Sequence, residues 1–440
     1  MTRIATVLVA TLAAVALIAA PLDAEPQLHV LAAGSRSGEP DATFVSTSGI
    51  PHHDIGGLRA SRYWRKGMRN GINRSWRRAL DTTIGQIAAE QPDAVFHTGD
   101  MVSGRWGVDV DGTGIFGPVG TLAQKRRAIK RAAALYYGQN KRRWADHGLD
   151  PYFGVGDHEV GDMPSSGVFG PKRLQSRAAP TWRNAWARAF TDDGDRYAWH
   201  PPYGQHRKTA YATMIGDDVG FVSLDPFTRR GDGMHARIGT VQMQWLDATL
   251  RDLRRRGARH LFVQCETPAL GPNRGSRSSR LVLENGAQLW RLLDRRGVDV
   301  LLTSEFHEVT TRTDGGGTPV QVVHGAQLYH ATANYLVIRT FHDRIELELK
   351  RMTGKKTGRR RFPTVNRPRP IDGIRMYRGA QVVGTMTIHR DGGLSDRSGF
   401  LTEGFHCSKP TAGSECDAVL RVERQQARAS IGAPSTMHLR

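Results

Sequence analysis

The chain has 440 residues, room for two or three domains at roughly 100–200 residues each, or for one large domain with appendages. Hydrophobic residues are 39% and charged residues 24%, which argues against a wholly disordered chain and against a polytopic membrane protein. Lys and Arg number 62 against 42 Asp and Glu, a net charge of +20 that favours anionic partners such as nucleic acid, phosphate esters, acidic wall polymers or anionic lipid, and that equally fits an Arg-rich solvated surface.

Residues 1–24 read as a signal peptide for export. Thr2-Arg3 is a short positive n-region, Ile4 to Ala20 is unbroken apolar sequence, and cleavage is expected after Ala24. The rival reading is an uncleaved anchor, since the apolar run is close to the shortest that spans a bilayer. No cysteine follows the run, so a lipoprotein is excluded. No second apolar stretch of spanning length follows, so no transmembrane domain is expected after signal removal. Residues 25–42 are a polar lead. From 43 the pattern is α/β, with a strand at Ala42–Thr47, a basic loop from His52 to Gly71, a helix from about Asn73 to Glu90, and a strand at Ala94–Thr98 ending in Gly99-Asp100. A helix is predicted near Leu122 to His147, then a short strand ending at Gly156-Asp157-His158-Glu159. A Gly-, Pro- and Trp-rich loop is predicted from there to about Tyr203.

Phe221–Asp225 reads as a strand, followed by a helix over Thr240–Arg256 and a strand His260–Gln264 that ends at Cys265-Glu266. A helix over Asn285–Arg296 precedes a strand ending at Ser304-Glu305-Phe306-His307, and further strands are expected at 320–323, 335–338 and 344–349. Residues 352–375 read as a basic, Pro-containing linker. Residues 376–440 read as a C-terminal extension with a hairpin near Gln381 to His389 and a candidate Cys407–Cys416 disulfide. Cys265 reads as a buried free thiol, and without a CxxC a thiolate zinc site is not supported.

Four predicted strand ends thus carry acids or His, and in open α/β sheets ligands bind at those ends. One Gly-Asp after a strand is an ordinary turn; four such ends in chain order make a metal-site pattern. Gly99-Asp100-Met101-Val102, Gly156-Asp157-His158-Glu159, Gln264-Cys265-Glu266-Thr267-Pro268 and Ser304-Glu305-Phe306-His307 resemble the successive blocks of the calcineurin-like metallophosphoesterases. The resemblance covers about Thr43 to Arg351. It implies two facing mixed β-sheets flanked by helices, a four-layer α/β/β/α sandwich, holding two metal ions and hydrolysing phosphate mono- or diesters. The purple acid phosphatase branch matches less well, because its metal-binding Tyr would fall at Ser103.

The departures fall on particular residues. The family's first block, Asp-x-His, aligns with Gly49-Ile50-Pro51, so both ligands are missing; His52, His53 and Asp54 follow as candidate substitute ligands or as ordinary loop residues. Asp100 stands at the metal-bridging acid and His158 at the phosphate-contacting His. Asp157 replaces the usual Asn, Glu266 and Glu305 replace usual His residues, and His307 keeps the last His. The implied ligands are therefore Asp100, Asp157, Glu266, Glu305 and His307. Carboxylates select hard cations, so one or two divalent ions are expected, with Mn, Mg or Ca favoured over Zn, and Fe not excluded. Arg62, Arg65 and Arg105 are phosphate-binding candidates or, equally, solvated cations. Asp225, His324 and His330 are weaker candidates for contacts at the site.

The leading reading is an exported metal-dependent phosphoesterase, a hydrolase acting on a phosphate ester through metal-activated water, with His158 as catalytic acid. The alternative is a catalytically silent protein of the same fold that binds an anionic polymer or partner. The sequence has no specific nucleic-acid-binding motif.

Overall fold

The computed structural model describes residues 38–49, 56–62, 64–66, 74–102, 104–107, 114–161, 172–191, 194–197, 199–231, 233–271, 282–305, 309–313, 315, 317–325, 333–356, 360–363, 368–371 and 375–406. The chain divides into two units, Met1–Glu39 and Pro40–Arg440, and every element named here lies in the second. In its first half come β1 (Ala42–Thr47), α1 (Arg74–Ala89), β2 (Ala94–His97), α2 (Leu122–Ala145), β3 (Tyr152–Phe153) and α3 (Lys172–Phe190). Next are β4 (Tyr211–Ile215), β5 (Val219–Ser223), β6 (Phe227–Arg230), β7 (Gly233–Ala236), α4 (Thr240–Arg255), β8 (His260–Gln264) and α5 (Gly286–Arg295). The chain then turns to sheet: β9 (Val300–Thr303), β10 (Val309–Arg312), β11 (Val320–Val323), β12 (Asn334–Thr340) and β13 (Arg344–Lys356). It continues through β14 (Arg360–Pro363), β15 (Pro368–Ile371), β16 (Arg375–His389), β17 (Leu394–Gly399) and β18 (Gly404–His406).

Two seven-stranded sheets result, in the orders β17-β16-β13-β12-β1-β2-β3 and β18-β10-β11-β9-β8-β5-β4. Both are mixed: β1 pairs parallel with β2 and antiparallel with β12, while β8 pairs parallel with β5 and β9. The period-2 alternation of a strand explains how they stack. On β8, Phe262 points into the core between the sheets, while Leu261 and Val263 point to a second core under α4 and α5. On β9, Val300 and Leu302 face inward and Leu301 outward. The sheets meet through aromatic rings: Phe96 of β2 stacks on Phe221 of β5 at 4.2 Å between centroids, and Phe44 of β1 lies 6.1 Å from Phe262. This is the expected α/β/β/α sandwich. Helix α2 begins with a capping box, Thr121 accepting from the Gln124 amide while Gln124 accepts from that of Thr121.

Two expectations are corrected. The stretch predicted as a loop from about 160 to Tyr203 contains the 19-residue helix α3. Its stripe Ala178, Trp182, Trp186 and Phe190 repeats every four residues and is buried throughout, so packing outweighs the exposed Pro180 inside it. The stretch predicted as a linker, 352–375, opens with residues of β13 that pair with β16 as far as Lys356↔Arg375, and holds the β14–β15 hairpin. The C-terminal extension gives β16 and β17 to one sheet and β18 to the other. Cys265 is a buried free thiol, its ionisation pushed well up by burial and by Glu266. Cys407 and Cys416 lie outside the described residues. Among the described residues no helix is long and apolar enough to cross a membrane.

Candidate metal centre

Parallel strands β1, β2 and β3 end at one rim of the first sheet, and β8 and β9 end beside them in the second. The backbone there is tightly constrained. Gly99, with φ +132°, follows β2, and a Cβ on it would lie 2.5 Å from the Gly156 nitrogen, so the β2 and β3 ends approach only because the residue is glycine. Asp100 then takes φ +61°, a left-handed conformation that Asp adopts more readily than most residues but that still costs energy unless its surroundings enforce it.

Glu159 supplies that enforcement. Its buried carboxylate accepts from the backbone N–H groups of Asp100 (2.7 Å), Met101 (2.9 Å) and Gly156 (2.8 Å), joining the two loops. The Asp100 carboxylate in turn accepts from the His158 amide at 3.3 Å. Burial pushes the Glu159 carboxyl up to about 7 although these amides pull it down. The sequence reading placed Glu159 inside a motif and gave it no role.

Asp100, Asp157, Glu266 and Glu305 each present an oxygen within 4.8 Å of all the others, and all four are buried. Asp100, Asp157 and His158 form a second such group, with His158 Nε2 3.7 Å from Asp157 Oδ1. The Thr267 hydroxyl donates to Glu266 Oε2 at 2.7 Å, and the Ser304 and Glu305 amides donate to the Glu266 carbonyl, which holds the β8 and β9 ends together. Like charges so close cannot all stay ionised without compensation. Burial first, then Asp157, Glu266 and Glu159, push the Asp100 carboxyl well above its usual range. Burial raises Glu266 to about 7, and burial followed by the Glu266 and Asp157 charges raises Glu305 well above normal. Glu266 Oε1 has no N–H or O–H donor among the described residues, apart from a proton shared with Glu305. The set must keep protons or hold a cation, and four carboxylates fit a hard divalent ion.

The remaining candidates fall differently. Gly49, where the resemblance has its first acid, packs directly on Asp100: a Cβ there would lie 2.9 Å from Asp100 Cβ. A bulkier residue at 49 would therefore have to displace Asp100, the acid common to both candidate ligand groups among the described residues. His52, His53, Asp54, His307 and His330 lie outside the described residues. Arg62 and Arg65 are exposed on the segment after β1. Arg105 is half-buried directly after Gly104, whose own Cβ would overlap the His158 carbonyl oxygen. His324 is buried at the end of β11 outside the cluster, with Nδ1 3.0 Å from the Thr303 carbonyl, and burial lowers it to about 4.

Asp225 belongs to a structural pair. Arg183 of α3 holds it with two contacts of 2.7 and 3.1 Å and also donates to the Phe227 carbonyl. Burial opposes the charge on Asp225, but Arg183 and His206 outweigh it and hold the carboxyl below its usual range. Trp182 Nε1 donates to the Gly104 carbonyl at 3.0 Å, and its ring fills the space where a Cβ on Gly161 would sit. Helix α3 thus pins the loops that carry Asp100, Asp157 and His158.

Two facing seven-stranded mixed sheets with these acids at four strand ends, in motif order, decide the fold. The chain has the calcineurin-like metallophosphoesterase fold. No protein-family model and no curated protein sequence matches it. Among solved structures it is similar to that of PhoD, at 15% identity and TM-score 0.49, covering 89% of this chain and 78% of that one. It is similar also to a dimetal phosphatase from Danio rerio, at 16% identity and TM-score 0.43, covering 71% of this chain and 96% of that one. A third likeness is to a purple acid phosphatase from yellow lupin, at 17% identity and TM-score 0.44, covering 85% and 57%.

Proposed function

We propose that the protein is an exported phosphoesterase that works with one hard divalent cation, Mn²⁺, Mg²⁺ or Ca²⁺, held by Asp100, Asp157, Glu266 and Glu305. The observation that carries this reading is the convergence of those four buried carboxylates within 4.8 Å. A divalent ion bound there supplies Lewis-acid polarisation of a phosphoryl oxygen and acidifies water. The chain's own part follows from its geometry. Glu159 fixes the backbone that aims Asp100. The Thr267 hydroxyl fixes one oxygen of Glu266. His158, beside Asp157 at the same rim, would give a proton to the leaving oxygen. Arg105, directly after Gly104, which packs on the His158 carbonyl, is a candidate to neutralise a bound phosphate.

A second reading, a silent protein of this fold that binds an anionic partner, draws on the contact of Gly49 with Asp100, which leaves no room for the missing acid. Hydrolysis of chromogenic phosphate mono- and diesters, with and without added Mn²⁺, Mg²⁺ or Ca²⁺, separates the two. The enzyme reading expects cation-dependent turnover that falls at least about 100-fold in Asp100→Asn, beyond the 10–100-fold typical of outer-shell changes. No turnover with any of the three cations supports the silent protein. Export expects secreted material to begin at Glu25 on N-terminal sequencing; retention of Met1 would support the uncleaved anchor.

A further inference from the structure

The net charge of +20 is not spread over the molecule. Residues 55–80 hold eight Lys or Arg and no acid; residues 351–378 hold ten Lys or Arg and one acid, Asp372. The two segments together contribute +17, and the other residues are near neutral at +3, with 44 cations against 41 acids.

Strand register brings described parts of both segments to one rim. Strand β1 runs toward the acid cluster and ends level with β2, Thr47 opposite His97, from which Asp100 follows. Strand β12 runs back from that rim and β13 returns to it: Ser46 lies opposite Leu336, Leu336 opposite Leu349, and Asn334 opposite Arg351. Past Arg351 the ladder continues to Lys356, paired with β16 from Arg375. At ~3.3 Å per residue these five residues carry the ribbon about 17 Å beyond the strand end. Three residues on each side connect it to the β14–β15 hairpin, where Arg360 and Arg361 lie opposite Ile371 and Pro370. The described residues after β1 expose Arg59, Arg62, Arg65 and Lys66, and α1, which follows, exposes Arg77 and Arg78.

Along the sheet the order is β16, β13, β12, β1, β2, β3. Basic positions therefore stand along this rim, on the ribbon at one end and on the segment after β1, whose Gly57 amide donates to Gln139 of α2, toward the end that carries Asp100 and Asp157. Five strand spacings of ~4.8 Å make this about 24 Å, the length of about seven phosphates at the ~3.4 Å rise of one strand of a nucleic-acid duplex.

We propose that this rim is a binding track for a linear phosphodiester polymer. A track ending at a buried acid cluster suits a strand that feeds one ester at a time into the centre. A bilayer cannot enter a buried cluster. Binding by the track does not require the acid site to be catalytic. Delivery of the polymer to that site rests on the phosphoesterase reading.

The test is binding of a fluorescent single-stranded oligonucleotide to the full protein, followed by anisotropy over a range of salt. Seven neutralised phosphates give a slope of log K against log salt near about −5, at roughly −0.7 per phosphate on single strands. Replacing Lys355, Lys356, Arg360 and Arg361 together by Gln reduces the slope by about 3, and Arg77→Gln with Arg78→Gln, on a separate element, by about 1.4. Thermal melts confirm that each variant is folded. No binding by the native protein at low salt overturns the proposal. So does an unchanged slope in both variants, or tighter variant-sensitive binding to anionic lipid vesicles than to the oligonucleotide. Polymer binding without hydrolysis of small esters leaves the track standing and removes the enzyme reading; hydrolysis without polymer binding does the reverse.

Discussion

Glu159 shows how much one residue holds in place. Three backbone donors converge on its carboxylate, and without them the positive φ of Asp100 has no support. Glu159→Gln keeps the shape but turns an N–H₂ toward amides that need an acceptor, at about 1–3 kcal/mol for each donor left unsatisfied. The expected outcome is a 10–100-fold loss of cation affinity by calorimetric titration, with the fold retained on circular dichroism. Unchanged affinity would make Glu159 merely a core acid. The protons on the cluster give a second residue-scale prediction. Glu266 is raised from 4.5 to about 7. Below pH 4.5 the folded and unfolded chains both keep this proton; between 4.5 and 7 the unfolded chain releases it and the folded chain does not. Stability of the metal-free protein therefore falls as pH rises through that window, by about 1.4 kcal/mol per unit for such a group, and levels off above it. A cation binds the ionised set, so the gain in melting temperature from excess Mn²⁺ over EDTA should grow from pH 5 to 7.5. A gain that does not vary with pH would place the ion elsewhere. The acids themselves were legible because each ends an apolar strand in a known motif order. The role of Glu159 was not, because nothing in sequence marks an acid whose partners are backbone amides.

At the scale of elements, α3 was hidden by its punctuation. Pro180 and the glycines before the helix read as loop, although Ala178, Trp182, Trp186 and Phe190 stand at helical spacing. The spacing was the stronger signal, since tertiary burial of such a face sets helix stability more than local propensity does. Helix α3 grips β5 through the buried Arg183–Asp225 pair and grips the site loop through Trp182. Removing one partner strands the other charge, so Arg183→Met is expected to destabilise by about 3–5 kcal/mol in urea unfolding. The double variant with Asp225→Asn should recover part of that loss, and additive losses would show that the pair is not coupled. Because Asp225 is held below its ordinary range, the stability it contributes is present at neutral pH and is lost as pH falls through its folded value. The strands of 352–375 were missed for the opposite reason. Their charge and prolines interrupt the apolar alternation by which strands are read.

For the whole molecule, the sandwich was legible from the alternation of strands and helices together with the resemblance, and only pairing register could show where the charge goes. Composition gave +20 and no location. Register places described positions of both basic segments on the rim where the acids converge, so basic residues border an acidic centre. That arrangement raises the local concentration of anions, while the centre itself accepts them only once a cation is bound. The central claim is a single hard cation in the four-carboxylate set, and titration of metal-stripped protein with Mn²⁺ tests it most directly, with hydrolysis of a chromogenic phosphodiester followed in the same samples. The account requires one equivalent bound per chain, with activity rising in step with occupancy. Two equivalents, or activity already complete before any ion is added, would contradict it.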